Sequence, residues 1–538
     1  MAACVLATGV TRLAGQAGPS SIFGETVEVR VVNLEVEVAD PEGLPVTGLG
    51  LDDFQLEVDG GEVPIGYFTE IRGGIAVAAP APGERSVTAV PSLMPGEPVG
   101  TNYLVFVDDY FAIERDRNRV LSALREDVTA LTPEDRMAIV AWDGELTMLT
   151  SWTDSPRTLE HALKRAATRP AYGLVRRSEL RLRGGDGSPR ATMFGAPSGF
   201  PDQLDVSELS YALQLESQLE RAVSAVSAVL RSFANPVGRK VLLLLSGGWP
   251  YDVGEYVSGR IEGVVRDHRL KLGARLYGPL VDSANQVGYS VFPVDVPGMV
   301  AGEVGEESVT SRGPGFDRGF RLVREGAQHL TLESIARATG GRALLNRQSV
   351  EALARASGAT RNYYWIGFTP DWQGDDRRHA VAVTVRREGL RTRARAGYVD
   401  FSKRNELSAA VESVLLFGGG PGVRPLELTV GRPARAARNS MQVPITLTLP
   451  AAELAALPTE LGMSAQVELR LAAIDERGAR SDIPVLGVRF EFPEGVEPGA
   501  RARYRTTVEL RRLRNRLVVA VYDPLSGVLW SATVEVVP

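Results

Sequence analysis

The run Asn102 to Phe111, NYLVFVDDYF, constrains the chain more than any other stretch. Tyr103 to Val107 is apolar without alternation, the pattern of a strand buried on both faces of a parallel sheet rather than of a half-exposed one. Such a strand would end in Asp108 and Asp109, at the edge where open α/β sheets bind their ligands. Lys240 to Leu245 (KVLLLL, stopping at Ser246-Gly247-Gly248) and Tyr289 to Val296 have the same buried-strand character. Strands alternating with helices over this region predict an α/β fold, a doubly wound and mostly parallel sheet flanked by all-β sandwich domains.

Residues 1–24 pair a short apolar segment with small residues, like the back half of a secretory signal or a disordered tail. Thr26 to Val38 alternates with a phase slip at Val31 and Val32, Asp59-Gly60-Gly61 signals a hairpin, and residues 25–72 read as a small β segment. Residues 73–100, rich in Ala, Pro and Gly, read as a linker. Within 101–360, helices are expected over Arg115 to Leu131, Ser155 to Ala167, Ala212 to Phe233 and Thr331 to Thr339, the last capped by Thr331 and closed by Gly340-Gly341. Arg136 to Trp142 and Leu146 to Trp152 form a hairpin across Asp143-Gly144. Pro170 to Ser207 and Pro297 to Gln328 read as long loops. Residues 361–400 return to β structure, 401–424 read as a linker and 425–538 as a β-sandwich. The β segments 25–72 and 361–400 each have too few strands to close a two-sheet core, so they are expected to share one sandwich into which the α/β domain is inserted. Arg391, Arg393 and Arg395 alternate with Thr392, Ala394 and Ala396 and read as the solvent face of a strand.

A formal net charge of -6 over 538 residues argues against nucleic acid as the main partner, which would require a clustered positive excess. Cys4 is the single cysteine, so no intrachain disulfide and no cysteine-based metal site can form. No run approaches the roughly 18 apolar residues of a membrane span. The stretch VDDYFAIE after the first buried strand carries no glycine to cradle a phosphate, and Ser246 lies in no GxSxG elbow. His161, His268, His329 and His379 are scattered. The enzymatic alternative is a hydrolase using Ser246 with His268 and Asp295.

The order NYLVFVDD, helix, DRMAIVAWDGE, long helix, KVLLLLSGG, YSVFPVD and LESIARATGG resembles a von Willebrand factor A domain. The flanks from Val27 and up to Val399 are similar to A-domain-related proteins of acidobacterial genomes. The resemblance implies a metal-ion-dependent adhesion site, in which a DxSxS motif, a threonine and a further aspartate hold magnesium and a partner's carboxylate completes the octahedron. Asp108 matches the first aspartate, whereas Tyr110 and Ala112 occupy the two serine positions and Gly247 follows Ser246 where an aspartate is expected. Asp109 and Asp252 are the nearby substitutes, so the candidate metal residues are Asp108, Asp109, Ser246 and Asp252, with magnesium weak at best and no other cofactor.

The resulting expectation is a non-enzymatic, secreted or cell-envelope module for protein binding or adhesion. Its partner surface would be the two long loops rising beside Asp108 and Asp109. These supply Met193, Phe194, Phe200, Phe316 and Phe320 as apolar anchors and Arg190, Arg312 and Arg318 as charged ones.

Overall fold

The computed structural model describes residues 31–77, 81–82, 93, 95–183, 204, 206–234, 238–258, 269–296, 316–417, 423–459, 462–477, 479–493, 495–497 and 499–538. The signal-like segment, His268, Arg190, Met193, Phe194, Phe200 and Arg312 lie outside them, as do the side chains of Phe316, Arg318 and Phe320. The chain divides after Asp400 into two compact units.

The first unit opens with Val32–Ala39 (β1), Phe54–Val58 (β2) and Tyr67–Arg72 (β3). Val32, Leu34, Val36 and Val38 alternate along β1 and are all buried, giving it one core face. Within the expected linker 73–100, Ile75–Ala76 and Ala81–Pro82 pair with β3.

Thr101–Asp108 (β4) is buried at every position, as an unbroken apolar run requires when both faces of its sheet are covered. Glu114–Asp127 (α1) lays Val120, Leu121 and Leu124 on the sheet. Arg136–Trp142 (β5) and Leu146–Thr153 (β6) form the hairpin, and Pro156–Ala167 (α2) is capped by Ser155, whose hydroxyl accepts the Thr158 amide. Gly173–Arg183 (α3) and Val206–Ser232 (α4) lead into Arg239–Ser246 (β7). Val253–Ser258 (α5), Gly273–Val287 (α6), Tyr289–Asp295 (β8), Phe316–Ala338 (α7) and Ala352–Thr360 (α8) complete the α/β layer.

Its sheet runs β8-β7-β4-β5-β6. The first four strands are parallel and β6 is the antiparallel edge. Register pairs Ser246 with Asp295 and Asp108 with Trp142, so the acids Asp108 and Asp295 emerge at one edge, together with Ser246.

Tyr363–Phe368 (β9), Arg378–Val385 (β10), Arg391–Arg393 (β11) and Gly397–Val399 (β12) return to the first strands. β9 pairs with both β1 and β3, while β10 pairs with β2 and β12. The two resulting sheets pack on one core that includes Leu34, Leu56, Ile366, Phe368 and Val383.

In the second unit, Lys403–Phe417 (α9) covers one sheet through Val411, Val414 and Leu415 against Val518 and Ala520. Ser440–Pro450 (β13), Gly462–Asp475 (β14), Arg501–Arg511 (β15), Asn515–Tyr522 (β16) and Leu529–Val536 (β17) are its main strands. They fall into two sheets, one built on the β13–β15 pair and the other on β14, β16 and β17, with a shared core containing Val443, Leu447, Leu469, Val519 and Trp530.

Several sequence expectations are corrected. The segment read as a loop from Pro170 to Ser207 contains α3, which keeps few buried anchors besides Leu180 and so lacks an apolar stripe. The loop read from Pro297 to Gln328 is helical from Phe316 onward. Thr331 is therefore internal to α7, where its hydroxyl donates to the Ala327 carbonyl, and does not cap a helix start. Helix α6 carries Pro279 inside it, which masks the Leu276, Leu280 and Ala284 periodicity. Much of the expected 401–424 linker is α9. Finally, Arg395 is buried, with its guanidinium donating to the Asn285 carbonyl, so only Arg391 and Arg393 of that stripe are exposed.

Candidate functional site

The turn after β4 is built from the backbone outward. Asp108 Oδ1 accepts the amides of Tyr110 and Phe111, each at 3.1 Å, which bends the chain sharply at the strand end. Glycines let the neighbouring loops approach this turn. An added Cβ at Gly173 would meet the Ala112 backbone at 2.5 Å, and one at Gly247 would meet the Ala112 Cα at 2.6 Å. The Gly173 and Tyr172 amides donate to the Ala112 and Asp109 carbonyls at 2.9 and 2.8 Å. Where the resemblance would require serine hydroxyls, Ala112 is wholly buried under Gly173 and Gly247, and the Tyr110 ring lies against Trp142 with the Arg176 guanidinium over it at 4.5 Å.

Both acids are satisfied by donors from this chain. Trp249 Nε1 donates to Asp108 Oδ2 at 2.8 Å, and its indole is buried in a stack on Tyr277. Asp109 receives Arg117 Nη1 on one oxygen at 2.5 Å and Arg169 Nε on the other at 2.7 Å. Arg117 is completely buried, and its remaining donors reach Asn118 and the carbonyls of Ala167 and Arg169. Arg169 extends the network to Asp143 at 2.8 Å. Burial pushes the Asp108 carboxyl up to about 7, with the Phe111, Trp249 and Tyr110 donors pulling against it. Burial also raises Asp109, opposed by Arg169 and Arg117.

The other expected ligands lie in different settings. Ser246 is buried, and its hydroxyl has no hydrogen-bond partner among the described residues. Asp252 Oδ1 accepts the Glu255 amide at 3.0 Å, capping the first turn of α5. Asp295 meets His329 Nε2 at 3.3 Å, so its described imidazole neighbour is His329, and His268 lies outside the described residues. That bond raises the His329 pKa above the ordinary histidine value. Among the described residues, no group of three metal-ligating carboxylates and imidazoles includes Asp108, Asp109 or Asp252.

Sequence reasoning missed Trp249, Arg117 and Arg169. A signal existed for Arg117, which shares the buried helical phase of Val120, Leu121 and Leu124 on α1, a position where an arginine must find a partner. Helix α3 was also missed. It leaves the turn at Gly173 and exposes Leu174, Val175 and Leu182 at 62, 50 and 85%.

No protein-family model and no curated protein matches the chain. Among solved structures it is similar to the von Willebrand factor domain of the type V pili tip protein Mfa5 from Porphyromonas gingivalis, with 14% identity, 28% of this chain and 38% of that chain covered, and a TM-score of 0.17. It therefore spans under two fifths of that relative's length. An aerotolerance-related membrane protein from Bacteroides fragilis is 13% identical over 49% of this chain and 98% of that one, with a TM-score of 0.23. A von Willebrand factor type A protein from Catenulispora acidiphila is 10% identical over 90% and 73%, with a TM-score of 0.22. No helix among the described residues is long and apolar enough to cross a membrane.

Proposed function

We propose that this chain is a non-enzymatic, extracytoplasmic protein-binding module, a doubly wound A-type domain of the acidobacterial kind presented on β-sandwiches. Its metal-ion adhesion site is degenerate, and an internal indole and guanidinium groups serve in place of a cation. The observation that carries the reading is the commitment of Asp108 to Trp249 and of Asp109 to Arg117 and Arg169. A divalent ion at this turn would have to approach acids already held by buried donors, those on Asp109 being cationic. Recognition then falls to the surface beside the turn, where Leu174, Val175 and Leu182 are exposed on a helix that starts against Ala112. Three exposed apolar side chains on one short helix are the kind of anchor that protein interfaces bury at their centre.

The test uses the full chain. Calorimetric titration with magnesium or manganese should give no binding tighter than roughly millimolar, the weak end of oxygen-ligated sites. Replacing Leu174, Val175 and Leu182 together by glutamate should leave the melting temperature nearly unchanged and abolish capture of a protein partner from the cell envelope of the source organism. Micromolar magnesium binding lost in Asp108→Ala, or undiminished capture by the triple variant, would refute the proposal.

A further inference from the structure

A second group of potential ligands lies in the β-rich part of the first unit, away from the turn described above. Asp375 precedes β10, His379 is its second residue, and Asp400 follows β12, with His379 paired to Tyr398 in the β10–β12 ladder. One donor atom from each of Asp375, His379 and Asp400 comes within 4.8 Å of the others. His379 Nε2 stands 3.8 Å from Asp375 Oδ1. That separation is close to the edge of about 3.4 Å expected between ligands of a tetrahedral ion with bonds of about 2.0–2.1 Å.

Asp400 is only 2% exposed. Its Oδ2 accepts the amides of Gln373 and Gly374 at 2.6 and 2.9 Å, whereas Oδ1 has no hydrogen-bond partner among the described residues. A buried carboxylate oxygen without a donor is costly, and a cation is the simplest species that satisfies it. The histidine is prepared for the same task. Its Nδ1 lies 2.7 Å from Asp59 Oδ2, and Asp59 Oδ1 is held by the Ala380 amide at 2.8 Å. A carboxylate only accepts, so Nδ1–H donates to Asp59, and Nε2 is the ring nitrogen that faces Asp375. Metal-bound histidines characteristically have this carboxylate behind the ring. Stacking on Tyr398, at 5.0 Å between centroids and 18° between planes, fixes the ring orientation. Among the described residues, the arginine paired with the cluster is Arg377, whose Nε is 3.9 Å from Asp375 and whose side chain is 80% exposed.

We propose that Asp375, His379 and Asp400 form a divalent-metal site, with Asp59 positioning the imidazole. One imidazole nitrogen and two carboxylate oxygens form a borderline donor set that suits zinc better than magnesium or calcium, which favour oxygen-only shells. Three protein ligands leave the fourth position to water. The ion ties the segment carrying Gln373, Gly374 and Asp375 to the end of β12 and neutralises the two carboxylates that meet there. This site is independent of the proposed adhesion surface and does not stand or fall with it.

The experiment is zinc titration of the full chain, stripped with chelator and dialysed, in competition with a chromogenic chelator, with melting temperature measured in parallel. The expected result is one zinc per chain and a zinc-dependent rise in melting temperature, both lost in Asp375→Asn and in His379→Gln. Asp59→Asn keeps every ligand and should weaken affinity about 10- to 100-fold, the usual cost of losing the partner behind a ligating histidine. Because Asp375 is exposed and His379→Gln retains most of the volume, melting curves in excess chelator should match the parent and confirm folding. Excess calcium should leave the zinc in place. Absence of stoichiometric zinc binding, binding unchanged in both Asp375→Asn and His379→Gln, or displacement of zinc by equimolar calcium would overturn the proposal.

Discussion

Asp108→Asn should abolish one component of the pH dependence of stability. Asp108 is entirely buried, and burial moves its carboxyl from the ordinary 3.8 up to about 7. The folded state therefore holds this proton more tightly than the unfolded chain does. The stabilising contribution of the protonated group is complete below pH 3.8, declines as pH rises through the folded value near 7, and is constant above it. About three pH units at 1.36 kcal/mol each give roughly 4 kcal/mol lost across that window. Asparagine does not titrate, so this component vanishes in the variant. The substitution also carries a pH-independent cost of about 1–3 kcal/mol, because the Tyr110 and Phe111 amides and the Trp249 indole then face one accepting oxygen and an NH2 group. Guanidinium unfolding of both proteins from pH 4 to pH 8 separates the effects, since titrations not coupled to Asp108 cancel in the difference. Stability of the variant minus that of the parent should rise by about 4 kcal/mol between those limits. A difference that stays flat would mean that Asp108 is ionised at ordinary carboxylate pH, and the account of the turn as a desolvated acid would be wrong.

Arg117→Met removes one of the two guanidinium partners of Asp109 and leaves a buried carboxylate with Arg169 alone, so a loss of about 3–5 kcal/mol is expected in chemical denaturation; a loss under 1 kcal/mol would show that Arg169 and solvent suffice. The His329 pKa is raised chiefly by its bond to Asp295, so its stabilising contribution is full below pH 6.5 and is lost as pH rises through the higher folded value. Asp295→Asn should return the His329 titration, followed by NMR of the ring proton, toward 6.5, and an unmoved midpoint would assign the shift elsewhere.

The strands of the α/β layer were legible because both of their faces are buried. Tyr103 to Val107 and Val241 to Leu245 have no solvent face to break the apolar run. Helices were legible only where an apolar stripe faced the sheet, as on α1. Helix α3 shows chiefly Leu180 to the core, Pro279 interrupts the pattern of α6, and Gly326 falls inside α7, so each gave a local signal for loop in spite of its tertiary role. The turn acids were visible as a pair, but their partners were not. Asp109 is bound by residues 8 and 60 positions away, and Trp249 reaches Asp108 from 141 positions away. The pairings with Arg169 and Trp249 are set by the packing of β4, α2 and β7, which no local spacing encodes. His379 looked ordinary for the same reason, since Asp59 lies 320 residues from it.

The sheet edge gathers negative charge at the ends of the two strands that flank β7, with Asp108 closing β4, Asp109 just beyond it and Asp295 closing β8. In a metal-dependent adhesion site a divalent ion neutralises such a group and presents its open coordination position to a partner's acid. Here an indole N–H serves Asp108, a pair of guanidinium groups serves Asp109, and an imidazole serves Asp295. These are donors without a vacant coordination position, and Arg117 is sealed from solvent. On the proposed reading, binding is therefore insensitive to chelator and to divalent-ion concentration, and specificity resides in shape and apolar contact along α3 rather than in a bridging carboxylate. The same arrangement makes the turn rigid in the absence of ligand, so a partner would meet a preformed surface and lose little affinity to reorganisation on binding.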